Sequence, residues 1–253
     1  MRVLPLFMLL LAVNVYTQEL SDWFIPLREA IYEQNLKADE IVPLYNKTKT
    51  QAENSLTGAA RCVYLSRCEY MMGRAYQYEE RKESAAKHYT AGMDWAQKAL
   101  DTGSSAEAWQ MLAENLSQSC AVNSAGYAMA NGLNVEKYSK NALALNKRNA
   151  AARYMIAARW VYAPPPFHNY KKGIEMMEAI ISEADMHKDD KFNVYLSIGY
   201  TYIQQKKYSH ARPWLLKSLE VYPTNKYAQK LLNETGPIGT VFTPAINTVY
   251  KGI

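Results

Sequence analysis

The stretch 192–225 places small and large residues at fixed steps: Tyr195, Ile198, Gly199, Tyr202, Ala211, Leu215, Ser218 and Pro223. The spacing has a physical reason. Gly199 and Ala211 are small enough for two antiparallel helices to approach closely. Tyr202 and Leu215 fill the space between hairpins, and Pro223 stops the second helix. A hairpin of this size cannot bury its apolar face alone, so it needs neighbours of the same kind.

With that hairpin as a ruler, the chain resolves into about five helix pairs and a capping helix, an all-α solenoid. The first pair is expected over 27–37 and 39–54, with Ser21 or Asp22 as N-cap and Pro26 in the first turn. The second unit fits from Ser66, with Met72, Gly73, Tyr76, Ala85 and Tyr89 in register, and its second helix runs long to Asp101-Thr102-Gly103. A third unit starts near Ala106, carries an uncharged insertion at 120–134 and resumes at Val135. Such an insertion is either a functional loop or a small-residue surface packed on a neighbour. The fourth unit begins at Ala150, is broken by Pro164-Pro165-Pro166, and continues over 171–183. The fifth is 192–225, and 226–233 forms the cap.

The offsets in 192–225 match those of the tetratricopeptide (TPR) pattern, and the chain resembles the TPR superfamily over most of 20–234. That resemblance implies a non-catalytic protein that binds a peptide or protein partner through its concave groove. By the TPR assignment, the second unit turns Arg67, Tyr70, Arg74, Gln77 and Tyr78 into the groove, and the third Gln110, Glu114, Ser117 and Gln118. The fourth contributes Tyr154, Ala158, Val161 and Tyr162, and the fifth Asn193, Leu196, Tyr200, Ile203 and Gln204. Phe167 stands at the triple-proline rim, either gating a ligand or packed in a rigid turn. Arg67 and Arg74 offer planar donor pairs for a carboxylate. The alternative is that Arg74 pairs with Glu114 and the tyrosines pack on one another. Twenty tyrosines against five phenylalanines suit a thin solenoid, where large residues are half buried with the hydroxyl at the wet edge.

Residues 1–17 contain one basic residue, an apolar run over 3–15 and a polar switch at Thr17. That run, about 13 residues, is too short to cross a bilayer as a helix and has the length of a signal-peptide core. The expectation is export to the periplasm, with cleavage after Thr17 and a solenoid domain over 18–235. An uncleaved anchor or a buried first helix is the alternative. The exported N-terminus and the degenerate repeats are also similar to the periplasmic T-component of TRAP-type transporters, although the lipid-anchor cysteine of its lipoprotein members is missing. That resemblance implies an accessory transport subunit enclosing a small ligand. The apolar tail 236–253 is expected to fold back on the domain or to dock on a second subunit, making a homo-oligomer.

Other classes find little support. A net charge of +5, with both signs interspersed along the helices, gives no nucleic-acid footprint. His88, His168, His187 and His210 are isolated in sequence, so neither a metal site nor a catalytic base is indicated, and no phosphate loop or nucleophile elbow implies a cofactor or enzyme. Cys62 and Cys68 are too far apart along one helix to bond each other. Either one pairs with Cys120, or all three are buried thiols.

Overall fold

The computed structural model describes residues 21–236. The segment 1–17, expected to be a signal peptide, and the tail from 237 onward lie outside the described residues. Within them the chain is all-α, in five helix pairs and a cap: α1 (Ile25–Glu33) with α2 (Ala38–Ser55), α3 (Gly58–Tyr78) with α4 (Lys82–Thr102), α5 (Ala106–Val122) with α6 (Ala125–Leu145), α7 (Ala150–Tyr162) with α8 (Tyr170–Glu183), α9 (Lys188–Gln204) with α10 (Tyr208–Val221), and α11 (Lys226–Glu234). This is the TPR-like solenoid expected from the spacing.

Local chemistry explains most boundaries. The side chains of Ser105, Ser124, Asn149, Asn169 and Asn225 each accept a backbone N–H in the first turn of the helix that follows. At α1 the expectation fails: Phe24, not Ser21 or Asp22, is the N-cap, with no side-chain bond, and Pro26 takes the first-turn position. Instead Ser21 is bonded through its N–H and hydroxyl to the Tyr64 hydroxyl, at 3.0 and 3.1 Å.

The insertion expected at 120–134 is absent as a loop. Ser124 caps α6 immediately after α5, and α6 is one continuous helix of 21 residues. Its alanine content suits a helix, and no proline interrupts it. What looked like an interruption is extra helix, which leaves Met129 and Leu133 exposed.

Close approaches hold the hairpins together. A Cβ on Gly199 would meet Leu215 at 2.7 Å, so Leu215 packs inside its own hairpin. A Cβ on Gly92 would fall 2.1 Å from Asn115 Oδ1, at a junction where Ser66 Oγ donates to the Gly92 carbonyl and Asn115 Nδ2 donates to Ser66 Oγ. Between α2, α3 and α4 the buried Glu69 carboxylate accepts Tyr45 and Lys49 and bonds His88, each at 2.7 Å. Burial alone would raise that carboxyl, but the bonds from His88, Lys49 and Tyr45 bring it below its usual value. His88 is therefore isolated only in sequence.

The placement of α1 decides the rest of the architecture. Leu27 and Arg28, then Ile31 and Tyr32, are all buried, so two adjoining rows of this short helix are covered. It joins α3 to α9 and α10 across the inner side of the stack, in one apolar core with Tyr70, Phe192, Leu196 and Tyr222.

Candidate functional site

The concave face is partly filled by the chain's own first helix. The Tyr32 ring stacks on Tyr222 with centroids 4.9 Å apart and meets Phe192 edge-on at 5.5 Å. Its hydroxyl accepts from Asn193 at 3.0 Å. Arg28 pairs with Glu29 at 3.0 Å and Asp189 at 3.4 Å, and Lys188 pairs with Glu29. At the end of α1, Asn225 Nδ2 donates to the Tyr32 carbonyl at 2.6 Å and the Thr224 hydroxyl to the Glu33 carbonyl at 2.8 Å. Gln34 Oε1 accepts the N–H groups of Lys226 and Tyr227. The carbonyl end of α1 thus meets the amide end of α11, where their unsatisfied groups and opposite partial charges complement each other.

Arg74 reaches this contact through the Tyr32 ring. It makes no ion pair with Glu114. Its guanidinium sits over the rings of Tyr32, Tyr70 and Tyr78 at 5.3, 5.7 and 5.1 Å, and donates to the hydroxyls of Tyr70 and Tyr78. Burial pushes the Tyr70 hydroxyl up, while Arg74 pulls the other way.

Beside Arg74 the face is charged. Glu114 of α5 accepts Gln110 Nε2 at 3.0 Å, and Gln110 Oε1 in turn accepts Asn149 Nδ2 at 2.9 Å. Burial pushes the Glu114 carboxyl up to about 7, against the Gln110 hydrogen bond and the positive charge of Arg67. Asp190, 8% exposed, accepts the His187 N–H at 2.9 Å and is also pushed up by burial, with Asp189 adding to it. Arg67 packs over Tyr64 at 5.9 Å, and its buried Nε has no hydrogen-bond partner.

A stability effect follows from Glu114. Its folded-state pKa is raised from 4.5 to about 7, so the folded chain holds the proton more tightly than the unfolded chain. Stability therefore falls as pH rises through that window and levels off above it. Glu114→Gln removes the charge and is expected to stabilise the protein by about 1–3 kcal/mol near pH 8 and by almost nothing near pH 4.5. Thermal melts of both chains at the two pH values check this.

The other half of the face is rich in tyrosine. Tyr154 and Tyr162 from α7 both reach Ser197 Oγ of α9, at 2.9 and 2.8 Å, and Tyr162 stacks on Tyr200 at 5.2 Å. Burial pushes up the hydroxyls of Tyr154, Tyr162 and Tyr200, and that of Tyr227 on α11 to about 12. The hydroxyls of Tyr154 and Tyr162 are held by Ser197, while Tyr162 as a residue is 48% exposed. Phe167 is 66% and Tyr227 40% exposed. Gln204 is exposed at the last residue of α9. Val161 leaves the groove set: it is buried against Gly173 of α8.

Sequence reading missed the partners supplied by α1 and by the helix start at Asp189 and Asp190. The doublets Leu27-Arg28 and Ile31-Tyr32, four residues apart, were the available signal for a helix covered on two sides. All three cysteines are free thiols; Cys62 and Cys68 are buried and Cys120 half-buried, and burial pushes the Cys68 thiol up to about 12. Among the described residues no helix is long and apolar enough to cross a membrane, and no group of three or more His, Cys, Asp or Glu gathers as metal ligands.

Comparison with known proteins fits the fifth hairpin. Residues 192–225 match the family model described as tetratricopeptide repeat. The repeat is of the TPR type. No curated protein matches the chain. Among solved structures the chain is similar to YrrB, described as a TPR protein with an unusual peptide-binding site. The likeness has a TM-score of 0.39 and 17% identity, over 81% of this chain and 96% of that one.

Proposed function

We propose that this chain is a non-catalytic, exported TPR-like protein that binds an extended segment of a protein partner on the tyrosine-rich half of its concave face. The supporting observation is a set of exposed aromatic residues on α7, on the turn after it and on α11. Tyr162, Phe167 and Tyr227 present exposed rings, and Ser197 fixes the Tyr154 and Tyr162 hydroxyls. Rings held in place lose little side-chain freedom on binding, and tyrosine carries much of the energy in such interfaces. The buried carboxylate–histidine contact of Glu69 with His88 is saturated by Lys49 and Tyr45, which fits a structural role. Export rests on the apolar run at 1–17.

The test is native mass spectrometry of the chain purified from its own host, followed by titration of the recovered partner. The double variant Tyr162→Ala, Phe167→Ser is expected to weaken binding at least about 30-fold while circular dichroism shows the helices retained. Full affinity in the double variant would remove this reading. A second reading, a subunit of a transport system that encloses a small ligand, is favoured by one observation: Arg67 lines the inner face without a hydrogen-bond partner.

A further inference from the structure

The last three hairpins share an exposed apolar edge at their turns. Met129 and Leu133 of α6 are 83% and 67% exposed, and Tyr162, Phe167 and Tyr208 add open rings at the α7–α8 and α9–α10 turns. The register of the helices places these five residues along one edge. Glu136 of α6 pairs with Arg159 of α7, and the short connection between the two helices makes them antiparallel. Leu133 and Met129 stand three and seven residues before Glu136. On that row of α6 they continue past Arg159 toward Tyr162 and the turn that holds Phe167. Tyr162 stacks on Tyr200 of α9 at 5.2 Å, and Tyr202 of α9 packs on His210 of α10 at 5.4 Å, close to Tyr208. Tyr208 lies one turn before Arg212, which donates to the Thr235 hydroxyl at 2.9 Å and the Gly236 carbonyl at 3.0 Å. The chain therefore leaves α11 beside Tyr208, turning at Gly236 with φ +82°. Apolar residues scattered singly need no explanation, but a shared edge of this kind marks a surface that something covers.

We propose that residues 237–253 of the same chain cover this edge, passing Tyr208, lying over Phe167 and Tyr162, and reaching Leu133 and Met129. The segment brings Ile238, Val241, Phe242, Ile246, Val249 and Tyr250, with no carboxylate and with Lys251 as its one charged side chain. The stretch 120–134 that receives its far part is uncharged as well, so the contact strips water from no ion. Its length suffices. Extended, residues 237–253 span up to about 55 Å, against roughly 30 Å for the three steps from α11 through α9 and α7 to α6. Because the segment starts at the edge itself, its effective concentration there is on the order of millimolar, which a second copy does not reach. The other surface beside Gly236 fits it poorly. A depression of about 520 Å³ on α11 is lined by Lys226, Gln229, Lys230, Asn233 and Glu234, with no apolar side chain. Covering Phe167 and Tyr162 also makes the segment a built-in competitor of a bound partner, a consequence that rests on the function proposed above.

Photo-cross-linking of the full chain without any partner tests this, with p-benzoylphenylalanine in place of Ile246 in one preparation and of Tyr250 in another. Both are expected to link, within the monomer, to peptides covering 127–134 or 160–169. The double variant Leu133→Ser, Phe167→Ser is expected to lower the yield of those links at least about 10-fold while circular dichroism shows the helices retained. Val241→Asp, Phe242→Asp, with the probe at 250, alters the covering segment alone and is expected to lower it by as much, so the result stands even if the first variant fails to fold. No link within the monomer, links only between two copies, links confined to other peptides such as 226–234, or full yield in both variants would each overturn the proposal. The measurement uses no partner. A partner that binds Tyr162→Ala, Phe167→Ser as well as the wild type would remove the proposed function and leave this result untouched.

Discussion

Replacing Tyr32 by alanine is expected to lower the melting temperature by about 10 °C and to release α1 from the inner face. Tyr32 is 1% exposed and joins three separate parts of the chain. Its ring lies against Tyr222 and Phe192, Arg74 sits over its face, and its hydroxyl accepts from Asn193. Truncating a fully buried aromatic side chain costs about 3–5 kcal/mol, because the transfer energy is lost and a cavity remains. At this chain length each kcal/mol corresponds to about 2–4 °C. The loss should be concentrated: Arg74 and Tyr222 both lose a ring contact, and the short α1 has little helical stability of its own. Hydrogen exchange read by peptide should show 25–33 losing protection while the peptides of α4 and α8 keep theirs. An unchanged melting temperature would mean that Tyr32 does not anchor α1.

Gly92→Ala is expected to cost about 2–3 kcal/mol, although alanine is the better helix former. In an exposed helix the same change would gain about 1 kcal/mol. Here the added methyl falls on Asn115, fully buried, whose amide donates to Ser66 Oγ at 3.1 Å and to the Met111 carbonyl at 2.8 Å. To make room Asn115 must give up one of those bonds, leaving a buried donor unmatched. Three helices, α3, α4 and α5, meet at this point, so the strain has no free surface to relax into. Chemical denaturation of the wild type and the variant at one pH checks the sign. A stabilised Gly92→Ala would contradict the packing described at this junction.

The hairpins were legible because their signals are local. Gly199 with Ala211 and Leu215, and Pro223 after the helix, describe one unit using only residues of that unit. The same logic carried the boundaries of α4 and α8, where Gly103 and the proline run mark breaks. It failed at 120–134, where a lack of charge and a scatter of Asn and Gly were read as an insertion, either a functional loop or a packing surface, with the helix resuming only at Val135. Ser124 and the alanines that follow make it a helix instead. The site was legible by half. The TPR register picked out Arg67, Arg74, Glu114, Tyr154, Tyr162 and Tyr200 as groove residues. It could not supply what those residues touch. Arg74 is capped by the Tyr32 ring, 42 residues away, and Arg28 pairs with Asp189 across 161 residues. Contacts at separations of 159 to 193 residues, such as Lys188 with Glu29 and Asn225 with Tyr32, carry no periodic mark in the sequence. Two residues at the end of the fifth unit, Thr224 and Asn225, look like ordinary turn chemistry and in fact receive the carbonyl end of α1.

Helix α1 ties the first helix pair to the last. Zero-length carbodiimide cross-linking with peptide mapping tests it most directly, because it joins a lysine to a carboxylate only where the two are in contact. In the monomer a link between Lys188 and Glu29 is expected, alongside the surface control between Lys140 and Glu136, with loss of the first but not the second in Tyr32→Ala. Recovery of the Lys140–Glu136 link without any Lys188–Glu29 link, or a Lys188–Glu29 link found only between two copies of the chain, would contradict it.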